Sequence, residues 1–156
     1  MRKGIQFAIC LLLPLGVGYL ASTFTEPEME GWYRQLQKPS WTPADQLFGR
    51  IWIALYLLMG VSLFVFLNKS RTAVQARTGI VVYLLQLLLN FGWPLIFFYL
   101  HEPGWALAEL VLLWISILLT ILLFGRTSKL AAGLLIPYIC WVSFAGYLNY
   151  TIWQLN

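Results

Sequence analysis

Five apolar stretches, each long enough to cross a bilayer, take up almost all of a chain of 156 residues. They run 5–24, 47–67, 79–100, 105–124 and 130–155. A helix rises about 1.5 Å per residue, so about 20 mostly apolar residues span the hydrocarbon core. The linkers are short except for 25–46, which leaves no room for a soluble domain. The expected fold is all-α: a single integral membrane domain over 1–156, built as a five-transmembrane-helix bundle with one long loop.

Composition points the same way. The chain is 60% hydrophobic and 10% charged, against about a quarter charged in a soluble domain. The net charge of +4 is spread over helix ends and forms no stripe, so no nucleic acid is expected as a partner. Cys10 and Cys140 fall inside apolar spans and read as two buried free thiols.

Charge also gives an orientation. Arg2, Lys3, Lys69, Arg71, Arg77, Arg126 and Lys129 fall on the side of the N-terminus, and Arg34, Lys38 and Arg50 on the other. Cytoplasmic flanks carry the excess of Lys and Arg, so the N-terminus is expected in the cytoplasm and Asn156 outside. Arg2 and Lys3 before an apolar run resemble the start of a signal peptide. The run is long for one, and its removal would reverse the charge pattern, so the first span is read as uncleaved.

The loop mixes Trp32, Tyr33 and Trp41 with charges and closes on Thr42-Pro43-Ala44-Asp45. Thr42 is placed to cap the next helix, with Pro43 at its first position and Asp45 in its first turn. Two readings of the loop stand: a segment lying at the headgroups, or a lid over an opening between the helices.

Four spans carry a face unsuited to lipid. Tyr83, Gln86, Asn90, Trp93 and Phe97 share one side of the third, and Tyr138, Trp141, Phe144, Ala145, Leu148 and Asn149 one side of the fifth. The second offers Phe48, Trp52, Tyr56 and Met59, and the fourth Trp105, Glu109, Leu112 and Ser116. Lipid supplies no hydrogen-bond partner, so these polar groups are expected to face the interior. Pro94 lacks the N–H that would bond the Asn90 carbonyl, which predicts a kink there. Asn90 is then either an interhelical hydrogen bonder or a ligand contact. By depth the aromatic faces converge on the outer half of the bundle, as a large flat ligand requires.

These residues carry a family resemblance. Trp32-Tyr33, Lys38-Pro39-Ser40-Trp41-Thr42-Pro43 and Phe48-Gly49-Arg50-Ile51-Trp52 resemble the loop and second helix of the translocator proteins, also called tryptophan-rich sensory proteins or peripheral-type benzodiazepine receptors. The likeness continues through Tyr56, Gln86 to Asn90, Trp93, Ala108-Glu109, Pro137-Tyr138, Trp141, Ala145 and Asn149. It implies a membrane protein, often a homodimer, that binds or transports porphyrin- or haem-type tetrapyrroles and other hydrophobic small molecules in a pocket under the loop. No cofactor is required, and tetrapyrrole is the ligand. Membrane lipid is the other expected partner, and a bacterial plasma membrane the expected location.

The resemblance places ligand contacts at Trp32, Pro43, Trp52, Asn90, Trp93, Trp141 and Ala145, and the interior faces add Tyr33, Tyr56 and Asn149. Light-dependent porphyrin degradation is a second implied activity, carried by Trp52 and Trp141; regulation of a partner protein is a third. The sterol-recognition pattern needs a basic residue soon after a tyrosine, and Tyr150 is followed by none. The one histidine, His101, adjoins Glu102 in a short linker and reads as solvated, and no metal-ligand or nucleophile–base pattern is visible.

Overall fold

The computed structural model describes residues 2–156. The elements are α1 (Arg2–Glu30), α2 (Trp32–Gln35), α3 (Asp45–Lys69), α4 (Ala73–Pro94), a π-helical turn (Leu95–Tyr99), α5 (Pro103–Gly125), α6 (Lys129–Gly133) and α7 (Ile136–Leu155). Five helices are long and apolar enough to cross a membrane, and no strand occurs among the described residues. Their outer faces are aliphatic: Ile9, Leu12, Leu88, Leu112, Leu119 and Leu122 are all exposed, as lipid demands. The chain is a multi-pass membrane protein.

Without a hydrophobic drive between helices in lipid, close backbone approach and shape hold the bundle together. Gly60 of α3 shows this. A Cβ there would stand 2.7 Å from the Cys10 carbonyl and 2.8 Å from Leu11 Cα, so α1 rests on bare backbone. At the end shared by the α3–α4 and α5–α6 linkers, Phe66 and Phe124 stack at 4.0 Å and 4°, with Tyr83 parallel to Phe124 at 6.2 Å. Ser62 Oγ donates to the Ala131 carbonyl at 2.7 Å and ties α3 to α6. This end of the bundle is filled, so open space lies toward the other.

Several elements differ from the sequence reading. Helix α1 runs on past Phe24 to Glu30, carrying Pro27 within it. Apolar character ends at Phe24; helical backbone does not, since Glu26, Glu28 and Glu30 continue the helix beyond the apolar stretch. Thr42 does not cap α3. Its hydroxyl donates to the Pro39 carbonyl at 2.7 Å, the helix starts at Asp45, and the cap position is Ala44 with no side-chain bond. The fourth span buries Ala106, Leu110, Leu113, Ile117, Thr120 and Phe124, while Trp105 and Leu112 are exposed. Of the expected face, Ser116 is buried and Glu109 half-buried, and only Trp105 and Leu112 give way to the residues that follow them. Only Cys10 is buried; Cys140 is exposed on the lipid side.

Pro94 does end the regular α-helix. The chain widens into the π-helical turn, closed by the Leu100 amide on the Leu95 carbonyl at 3.0 Å. Widening of this kind is how a helix accommodates a lost bond without a chain break.

Candidate functional site

The half of the bundle nearer the 36–44 loop holds a cavity of about 700 Å³ between α1, α3 and α4. Leu15, Gly18, Ala21 and Met29 of α1 form one wall. Phe48, Trp52, Ile53 and Tyr56 of α3 form the second; Asn90, Trp93, Pro94 and Phe98 close the third. At the mouth are Glu26, Glu30, Arg34, Asp45 and Gln46. Its size lies within the usual range for small-molecule sites, roughly 300–1,000 Å³, and its lining is mainly apolar and aromatic.

Four predicted site residues line this cavity: Trp52, Tyr56, Asn90 and Trp93. Spacing places Trp52 and Tyr56 one turn apart on α3, and their rings stack at 5.6 Å and 30°. The Tyr56 hydroxyl donates to Asn90 Oδ1 at 2.7 Å, Asn90 Nδ2 donates to the Tyr138 hydroxyl at 2.9 Å, and that hydroxyl donates to Gln86 Oε1 at 2.9 Å. One buried chain of hydrogen bonds thus links α3, α4 and α7 at the cavity floor. The Asn90 amide bonds across the helices, and the residue also borders the open space.

Tyr33, Ala145 and Asn149 lie apart from the cavity. Together with Phe48, Trp93 and Phe97 they line a void of about 20 Å³, too small for a ligand. Asn149 is committed to structure: Oδ1 accepts from Trp93 Nε1 at 3.0 Å and Nδ2 donates to the Pro103 carbonyl at 2.7 Å. That pair fixes the indole of Trp93 in the cavity wall. Trp141 is behind Phe48, whose ring meets Trp141 at 5.6 Å and Trp52 at 6.3 Å. Trp52 and Trp141 therefore do not face a common space, and Trp141 Nε1 is buried without a partner among the described residues. Pro43 is half-buried in the loop and borders neither space.

The loop is ordered by contacts that no local pattern announces. Tyr33 is buried against Phe97 and Phe98, and Lys38 Nζ donates to the Tyr33 carbonyl at 2.7 Å while lying 4.3 Å from its ring centroid. Burial and the Asp45 carboxylate push the Tyr33 phenol up to about 12. Trp32 stacks on His101 at 4.4 Å and 15°, and His101 Nε2 meets Glu28 Oε2 at 2.9 Å. His101 has φ 58°, a left-handed backbone that turns its ring back over the loop. His101 is solvated, as the sequence suggested, yet held in place by Trp32 and Glu28. Trp41 stacks on Tyr147 at 5.2 Å and 9°. The Asn156 side chain bonds both backbone groups of Gln37, each at 3.0 Å. These contacts hold the loop on the ends of the helices, at the end of the bundle opposite the α3–α4 linker.

Glu109 is the remaining predicted interior group. Its two carboxyl oxygens are buried with no partner, and a Cβ on Gly92 would stand 3.3 Å from Oε1. No group of three or more His, Cys, Asp or Glu able to hold a metal occurs among the described residues.

Residues 10–154 match the model of the TspO/MBR family. The chain belongs to that family. The tryptophan-rich protein TspO of Chlorobaculum tepidum is 46% identical over 155 residues, covering 99% of this chain and 98% of its own. The translocator protein of Bos taurus is 38% identical over 146 residues, 93% of this chain and 86% of its own. Protein CrtK of Rhodobacter capsulatus is 38% identical over 125 residues, 80% of this chain and 78% of its own. Likeness to TspO proteins over nearly the full length agrees with the five spans and the aromatic loop described above.

Proposed function

We propose that this TspO/MBR-family protein binds tetrapyrroles of the porphyrin or haem type, and other hydrophobic molecules of similar size, in the cavity between α1, α3 and α4. One observation carries the reading: a cavity of about 700 Å³ whose walls present Phe48, Trp52, Tyr56, Trp93 and Phe98. A planar macrocycle gains from apolar burial and from ring-on-ring contact, the latter about 0.5–1.5 kcal/mol per aromatic pair. Asn90 and Tyr56 offer the few polar atoms that set its orientation. The relatives named translocator proteins support passage of a ligand as part of the role. The protein acts in the bacterial plasma membrane as a homodimer, N-terminus in the cytoplasm.

The test is a porphyrin titration of the purified protein, in the dark and under illumination. Saturable quenching that Trp52→Phe weakens about three- to tenfold fits a wall residue in direct contact. No saturable binding would refute the reading. A new chromophore that forms only with protein and light would assign turnover instead, with Trp52 as the ring at the ligand. Orientation is read separately: alkaline phosphatase fused after Asn156 should be active and after Ser70 inactive, and the reverse pattern would invert the topology.

A further inference from the structure

The cavity is apolar within and charged at its mouth, and the two regions differ in what they ask of a ligand. Three carboxylates line the mouth: Glu26 and Glu30, one turn apart on α1, and Asp45 at the start of α3. Only one cation, Arg34, lines it with them. The other cations of this face are directed elsewhere. Lys38 is held by the Tyr33 carbonyl and ring, and Arg50 does not border the cavity. Among the described residues the one salt bridge joins Glu28 to His101, so Arg34 forms none with the three carboxylates. The mouth thus bears net negative charge above low-dielectric walls, an arrangement that focuses the field on whatever passes through it.

We infer that this rim selects ligands by the charge of their polar edge, favouring neutral or cationic amphiphiles over dianionic ones. The inference rests on the cavity being the ligand site proposed above. A flat apolar body buried against Trp52 and Trp93 leaves its polar edge at the mouth, beside Glu26, Glu30 and Asp45. A cationic or uncharged edge is accepted there. Two carboxylates on that edge meet three of their own sign and a single guanidinium, and this like-charge juxtaposition lowers the affinity of a dipropionate porphyrin below that of its neutral or cationic forms without excluding it.

The experiment uses one porphyrin core in three forms: the dipropionate, its dimethyl ester, and a diamide carrying two primary ammonium groups. Affinities are measured by fluorescence quenching on the full chain in phosphatidylcholine nanodiscs, which add no net charge. At low ionic strength the dipropionate should bind the parent about fivefold or more weaker than the diammonium form. The ratio of the two affinities should fall at least threefold in E26Q/E30Q/D45N, and likewise in roughly 0.5 M salt, where the screening length is only a few ångström. Because Asp45 also starts α3, E26Q/E30Q alone is measured beside the triple variant and should shift the ratio in the same direction. A ratio that neither salt nor the variants change, or a dipropionate that binds tightest at low salt, would overturn the inference. If the parent binds none of the three porphyrins, the tetrapyrrole reading fails by itself. The rim is then tested with a dansyl alkylamine and its N-acetyl form, and equal affinities for that pair overturn the charge selection too.

Discussion

Replacing Asn90 by Leu tests how far the floor of the cavity depends on one side chain. Leu keeps the branching at Cγ and removes both polar atoms. Two interhelical hydrogen bonds are lost, from the Tyr56 hydroxyl at 2.7 Å and to the Tyr138 hydroxyl at 2.9 Å. Such bonds average about 0.6 kcal/mol in membrane bundles, with a ceiling of about 1.7. What is left behind decides where in that range the sum falls. Tyr138 keeps its bond to Gln86, and Tyr56 borders the cavity, where water can reach its hydroxyl. The expected destabilisation is therefore about 1–2 kcal/mol, well short of the cost of two orphaned groups in a dry core. Cys10 supplies the assay, since it is 3% exposed and reacts only when α1 opens; Cys140 is exposed and is first replaced by Ala. Alkylation of Cys10 with rising temperature then reports stability for Asn90→Leu, Tyr56→Phe and the double variant. A coupling between the two of less than about 0.3 kcal/mol would mean that their bond contributes nothing, and the network argument would fall.

Gly60→Leu should force α1 away from α3, because the new side chain meets backbone at Cys10 and Leu11; the loss is about 1–3 kcal/mol in the same assay, and unchanged stability would show that the contact yields freely. Trp32→Ala removes the stack on His101 and should speed porphyrin dissociation more than association, read by stopped-flow displacement; an unchanged off-rate would deny the loop any part in retaining ligand. The buried Tyr33 phenol is raised from 10.0 to about 12, so its folded form resists ionisation, and the stability it lends is complete below pH 10 and lost as pH rises toward about 12. Tyr33→Phe should abolish that alkaline loosening of the loop, followed by proteolysis of the segment, and a variant that loosens over the same interval would assign it to another group.

Much of this architecture was legible because lipid simplifies the reading. A side-chain amide deep in a span finds no partner in lipid, so Gln86 and Asn90 marked the buried face of α4 with Tyr83 and Trp93, and Phe97 continued it into the π-helical turn. In the fourth span Ser116, Thr120 and the Glu109 carboxyl mark the interior, with little else to guide the reading. The span is mostly aliphatic, Leu can face lipid or core equally, and Trp105 and Leu112 of the expected face are exposed. Apolar length located the helices but not their ends, since α1 continues as a polar helix through Glu30. The site divided for a reason spacing does not reveal. Phe48 packs against both Trp52 and Trp141, so of two tryptophans at similar depth only Trp52 borders the cavity. The contacts of His101 with Trp32 and Glu28 join residues far apart in sequence, and the left-handed turn that permits them follows from no local signal.

The bonds between Asn156 and Gln37 link two segments that ordinarily behave differently. The final turn of a helix is usually the first part of a protein to fray, with an opening free energy near zero and no effect elsewhere. Here the same side chain also bonds the Ile152 carbonyl at 2.8 Å, so the last turn of α7 and the backbone of the loop are one unit. Amide exchange at Gln37 should accordingly follow that of the last residues of α7. Unwinding of that last turn and release of the loop at Gln37 should then occur as one event.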